Sequence, residues 1–110
     1  HSLPEGVDGT PFDTSIFRRK IDTAEYHQRG TVFDLVWGRD YREENARAYA
    51  EQVDARVLVN GHEPCPDGSN RPNSFQVILD CCSDKGSYAI LPVGDELSQD
   101  DVVQRIQRLG

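Results

Sequence analysis

Between an apolar run and a proline-rich loop the chain reads ARVLVNGHEPCPDGS, residues 55–69. His62 follows Asn60-Gly61 directly and precedes Glu63, Pro64, Cys65 and Pro66. Neutral imidazole is a common ligand for divalent transition metals, and its neighbours suit that task. Gly61 carries no side chain, so the backbone can pass close to a ligand. Pro64 and Pro66 fix φ and stiffen the loop that presents the ring. Read as the end of a buried strand over residues 55–60, the position matches the carboxyl edge at which α/β proteins bind ligands. A lone histidine after a turn is nevertheless more often an ordinary loop residue than a ligand, so the motif does not decide by itself. Glu63 reads either as an exposed loop acid or as a partner of the ligand. A second donor set is His62, Cys65, Cys81 and Cys82, the makings of a small zinc module. Its spacing fits no standard zinc pattern, and adjacent cysteines rarely close a good tetrahedron.

The elements that must carry these residues follow from pattern. Residues 1–11 are rich in Gly and Pro and read as a loop. Residues 13–21 predict a short helix capped by Asp13, with Ile16, Phe17 and Ile21 on one side. TVFDLVW, residues 31–37, is β-branched and aromatic and predicts a strand or extended segment, with Trp37 as a packing residue. Asp40 and Glu43 resemble a capping box ahead of a helix whose apolar positions are Ala46, Tyr49, Ala50 and Val53. The loop 61–73 is irregular and stiff. Residues 74–80 and 87–93 predict a β-hairpin closed by a longer turn. Ser98 and Asp101 open a last helix with Val102, Val103, Ile106 and Leu109 as its stripe. The fold class is mixed α and β, a single domain or part of one over residues 1–110.

Composition narrows the partners. The formal net charge is −7 with neutral histidines, and the twelve Lys and Arg are scattered. Duplex nucleic acid and anionic membrane are therefore excluded on electrostatic grounds. No apolar stretch approaches transmembrane length and no signal-peptide pattern opens the chain. The three cysteines form no disulfide framework, which points to reduced thiols and a cytoplasmic protein. The opening HSLPEG, without Met, reads as a processed chain or a fragment.

Taken in order, these segments resemble the C-terminal half of the calcineurin-like metallophosphoesterases, in the phosphoprotein-phosphatase-like branch. VLVNGHEPCPDG is similar to the strand and Gly-His that supply a metal ligand in that family. HSLPEG resembles the preceding histidine motif, FDLVWGRD the segment between the two histidines, and FQVILDCCSDKGSYAIL the closing strand pair. The resemblance runs from residue 1 to about residue 93. It implies a part of a β-sandwich flanked by helices. It implies that His1 and His62 bind the same metal of a two-metal centre holding Mn, Fe or Zn, and that Arg39 grips the substrate phosphate. The substrate class would be a phosphorylated protein or a small phosphoester or nucleotide. The chain departs from the family in lacking Asp-x-His, Gly-Asp-x-x-Asp and Gly-Asn-His, so the chain alone is expected to be inactive. A bared sheet edge around Val57 and Val59 then implies a dimer or an N-terminal companion. A non-catalytic interaction domain on a phosphatase-like scaffold is the alternative.

Overall fold

The computed structural model of the protein describes residues 1–4, 12–80 and 82–110. The loop expected over residues 5–11 and the thiol of Cys81 lie outside them. The helix expected over residues 13–21 is only a 3-10 turn, Thr14–Phe17, opened as expected by Asp13, whose carboxylate accepts the N–H of Ser15 at 3.0 Å. Ile16 is buried there while Phe17 points out. A second 3-10 turn, Thr23–Tyr26, is closed by a capping box between Asp22 and Glu25.

TVFDLVW is a helix rather than a strand. It forms α1, Thr31–Trp37, between Gly30 and Gly38. The apolar residues do not alternate. Val32 and Leu35 stand one helical turn apart; Val32 is buried and Leu35 packs on the core. Trp37, expected to pack, is 51% exposed. Helix α2, Glu43–Gln52, buries Ala46, Tyr49 and Ala50 as the 3.6-residue period requires. Asp40 does not close the expected box at its start. Its carboxylate instead accepts the N–H of Arg42 at 3.1 Å. At the far end Ala55 N–H reaches Ala50 O at 2.9 Å and Asp54 takes φ 54°, a left-handed helix stop of the kind usually given to Gly.

The main sheet has three strands: β1, Leu58–Gly61; β2, Ser69–Asn70; and β3, Gln76–Leu79. β3 is central, parallel to β1 and antiparallel to β2. Gln76, Val77 and Ile78 are all buried, so both faces of this strand are covered. The hairpin expected between residues 74–80 and 87–93 does not form. The stiff loop takes the place beside β3: Ser69 pairs with Leu79 and Asp80 N–H donates to Gly68 O at 2.9 Å. β4, Ser87–Ala89, turns away and pairs instead with β5, Ile106–Arg108. The last helix, α3, is consequently shorter than its apolar stripe. It begins with the expected capping box of Ser98 and Asp101 but ends at Gln104, and Ile106 and Leu109 leave it for the second sheet. There Leu109 N–H bonds Gly86 O at 2.8 Å.

One core gathers Leu3, Phe12, Ala46, Tyr49, Ala50 and Leu58, with Leu35, Val53, Ala55 and Phe75 packed against it. Phe12 meets Tyr49 edge to face at 5.1 Å, a favoured aromatic geometry. The described residues thus form a small mixed α/β domain with three α-helices and two small sheets. No helix among the described residues is long and apolar enough to cross a membrane.

Candidate functional site

The left-handed residue at the end of β1 is His62, with φ 68°. The freedom expected of Gly61 is not used: a Cβ there would meet only Leu79 O at 3.8 Å, an ordinary contact. For a side chain with a Cβ the left-handed conformation costs about 1–2 kcal/mol. Such strain persists only where the surroundings over-determine it, and they do so here. On one side Gly61 is held in the ladder opposite Leu79. On the other, the Glu63 carboxylate accepts the Tyr41 hydroxyl, with Arg39 Nε 3.8 Å away. Cys65 N–H then donates to Asp80 Oδ2 at 2.9 Å.

Held this way, the His62 imidazole stacks on that of His1, with ring centroids 4.3 Å apart and planes 18° from parallel. His1 arrives by a separate route. Ser2 N–H donates to Leu35 O at 2.8 Å, and its hydroxyl donates to Gly38 O. Ser2 O accepts Asn60 Nδ2 at 3.2 Å, and Leu3 and Pro4 are buried behind it. The approach of this segment to the end of α1 requires Gly38, where a Cβ would stand 2.5 Å from Asp34 O and 2.7 Å from Leu3 O.

A run of side-chain amides ties these pieces together. Asn73 Nδ2 donates to Tyr41 O at 3.2 Å and to Gln76 Oε1 at 2.6 Å. Gln76 Nε2 donates to Asn60 Oδ1 at 3.1 Å, and Asn60 passes the contact on to Ser2 O. The backbones of Tyr41 and Ser2 are thereby both referred to the two parallel strands. Buried amides are tolerated only when paired, and these pair with one another.

Arg39 is exposed. It donates from Nη1 to Gly38 O at 2.6 Å and borders a polar cleft of about 400 Å³ with Asp34, Asp40 and Arg42. Arg42 is bound to Asp40 at 2.6 Å, and its hydrogen bonds hold that carboxyl below its ordinary range. Burial, then the bond to Glu63, pushes the Tyr41 phenol up, so it stays protonated and a donor at neutral pH. Burial also raises the Cys65 thiol, which disfavours the reactive thiolate. Asp80 is fully buried. Its carboxyl is held low by the N–H groups of Cys65 and then Cys82, together with Ser83.

The structure therefore gathers His1, His62, Arg39 and Glu63 at one end of β1. Of the zinc-module donors, Cys65 is buried and its thiol turns to Glu63 O at 3.4 Å. Cys82 is exposed. Among the described residues no group of three or more His, Cys, Asp or Glu is placed to hold a metal. The site thus offers two imidazoles, a guanidinium and a carboxylate; the in-plane lone pairs of the stacked rings run side by side, so one ring must rotate before both meet a common metal, and the set is not complete. Tyr41, Asn60, Asn73 and Gln76 were not singled out from the sequence. The available signal was Gln76, a polar residue inside the apolar run SFQVILD. Comparison with protein-family models, with curated proteins and with solved structures finds no match for this chain.

Proposed function

We propose that this chain is the C-terminal portion of a metal-dependent phosphoesterase domain of the calcineurin-like, phosphoprotein-phosphatase-like type, and that its two small sheets belong to a larger helix-flanked sandwich. His1 and His62 hold one divalent metal, of the Mn, Fe or Zn kind. Arg39 engages a phosphate oxygen of a phosphorylated protein or small phosphoester, and Glu63 keeps the His62 loop in place. The observation that carries this reading is the stack of His1 on His62. Two imidazoles from distant segments, one of them in a strained backbone conformation, meet beside an exposed guanidinium. A planar fork of N–H donors matches phosphate geometry.

When bound, a divalent metal supplies polarisation of the phosphoryl oxygen and a nucleophile derived from water. This chain's own residues bind and orient. The imidazoles present ring nitrogens at the strand end, and Arg39 offsets negative charge on the phosphate. Two ligands do not complete a catalytic site, so the chain alone is expected to bind Co²⁺ through both histidines yet turn over p-nitrophenyl phosphate with added Mn²⁺ no faster than buffer. Loss of Co²⁺ binding in both His1→Ala and His62→Ala is the expected result. Co²⁺ binding untouched by either substitution would sink the reading. Robust turnover abolished by His62→Ala would sink the claim that the chain is incomplete.

Strand β1 lies at the edge of its sheet, with Val59 42% exposed. Neither Pro nor a charged residue blunts Leu58–Gly61, and open edges of that kind recruit partners. A dimer, or a companion segment supplied in trans, is accordingly expected. Light scattering that shows the isolated chain to be monomeric at all concentrations, with Val59→Lys behaving identically, would exclude self-association through this edge.

A further inference from the structure

The strain at His62 needs a clamp, and the contacts around it supply one. His62 is fixed on its amino side by the sheet, since Gly61 pairs with Leu79. On its carboxyl side the first side chain with a tertiary partner is Glu63. Glu63 faces two groups: the Tyr41 hydroxyl, hydrogen-bonded to it, and Arg39, whose Nε lies 3.8 Å from Oε2. The second contact is long and its guanidinium is exposed, so it exerts little hold. The phenol contact is partly buried, and a hydrogen bond to a charged acceptor is among the stronger kinds. Tyr41 is itself anchored. Its carbonyl accepts Asn73 Nδ2 at 3.2 Å, and Asn73 accepts the N–H groups of Phe75 and Gln76 at 3.0 and 2.9 Å, at the entry to β3. The clamp is therefore closed on both sides by the same sheet: β1 leads to His62, and β3, Asn73, Tyr41 and Glu63 lead back to it.

We propose that Tyr41 is the positioning residue of this site: by holding the Glu63 carboxylate it keeps His62 in its left-handed conformation and the two imidazoles in register. Without the hydroxyl, Glu63 is free to swing into solvent. The loop keeps its anchor at Cys65, whose N–H bonds Asp80, but residue 62 loses the side-chain restraint nearest to it and relaxes to a negative φ, which carries the ring away from His1. The consequence for metal affinity rests on the functional reading above; the consequence for ring geometry does not.

The test compares the full chain with Tyr41→Phe, Glu63→Ala and Glu63→Gln, without metal and then with Co²⁺. The primary readout is the set of nuclear Overhauser contacts between the ring protons of His1 and His62. The native chain is expected to show them, and Tyr41→Phe and Glu63→Ala to lose them. Glu63→Gln is expected to retain them, because the Gln carbonyl oxygen still accepts the phenol while the charge facing Arg39 is gone. Co²⁺ affinity should fall about 10-fold in the first two variants, the size usual for a residue that orients a ligand, and change little in the third. Ring contacts of native intensity in Tyr41→Phe would overturn the proposal, as would their absence from the native chain. Loss in Glu63→Gln alone would assign the clamp to Arg39 instead. Ring contacts that behave as expected, with no Co²⁺ binding by the native chain, would support the clamp while removing the metal reading.

Discussion

Replacing Gly68 by alanine is expected to destabilise the domain by about 3 kcal/mol. Gly68 has φ +82°, and a Cβ built on it would stand 2.2 Å from Lys85 O. The left-handed conformation alone costs an L-residue about 1–2 kcal/mol, and forcing atoms into a packed contact adds about 1–3. The blocking atom is backbone, so no side-chain rotation relieves it. The position is also a crossing of segments. Gly68 O accepts Asp80 N–H at 2.9 Å and the Ser87 hydroxyl at 2.5 Å. Asp80, one step beyond β3, accepts Cys65 N–H and Cys82 N–H at 2.9 and 2.6 Å. Any displacement of residue 68 therefore disturbs the loop that carries His62, the end of the central strand and the turn into β4 together. Set against the roughly 5–15 kcal/mol of a typical domain, the loss should move the urea midpoint by about 1–3 M, given slopes of about 1–3 kcal/mol/M. A midpoint indistinguishable from the parent would mean that the turn at Lys85 yields freely and that the crossing is loose.

The largest functional effect is expected at His62, and it should carry opposite signs for binding and stability. His62→Gly removes an imidazole, so Co²⁺ affinity should drop by about 100-fold or more, beyond the 10–100-fold typical of residues that only orient a ligand. The same change relieves the left-handed backbone at φ 68°. Glycine removes a penalty of about 1–2 kcal/mol and gives back about 0.5–1 kcal/mol through its freer unfolded state. A net gain of about 0.5–1 kcal/mol remains, measurable by urea unfolding with chelator present. His62→Ala separates the two effects: it loses the metal ligand but keeps the strain, so it should bind as poorly as the glycine variant while staying near parental stability. If His62→Gly instead proves less stable than His62→Ala, the imidazole stack itself holds the loop, and strain at this residue is not what the site maintains.

Stability traded for a presented side chain is the pattern expected where a residue serves a ligand rather than the core. Asp54 and Gly38, two further sites of tension, differ in kind. Asp54, also at positive φ, ends a helix and is satisfied by the bond from Ala55 to Ala50. Gly38 takes an ordinary φ of −58° and is needed only because two carbonyls crowd it. His62 alone among these brings a side chain with ligand chemistry to an exposed strand end.

Local chemistry was legible in the residues. The Asp13 carboxylate on Ser15, the box of Ser98 and Asp101, the buried stripe of α2 and the strand after Ala55 each depend on groups a few positions apart, which spacing alone specifies. The resemblance to phosphoesterases marked His1, His62, Arg39 and Glu63, but no spacing rule brings His1 to His62. That meeting depends on buried Leu3 and on the tie from Ser2 to Asn60. Tertiary competition decided the rest. TVFDLVW has β-branched residues suited to a strand, yet its carbonyls serve Ser2 and Gly38, and Val32 with Leu35 repays helical packing. β3 could have paired with residues 87–93, but Ser69 and Asn70 of the loop 61–73 occupy that place, and β4 pairs with the segment expected to continue the last helix. The sequence by itself thus determined the caps at Asp13 and Ser98, the buried stripe of α2 and which side chains carry ligand chemistry. Which strands pair, and that Tyr41 through Glu63 fixes the pose of His62, was decided only in the tertiary structure. A backbone N–H or C=O accepts whichever partner the packed chain brings within about 3 Å, and that choice is made by burial across the whole domain, not by neighbours in sequence.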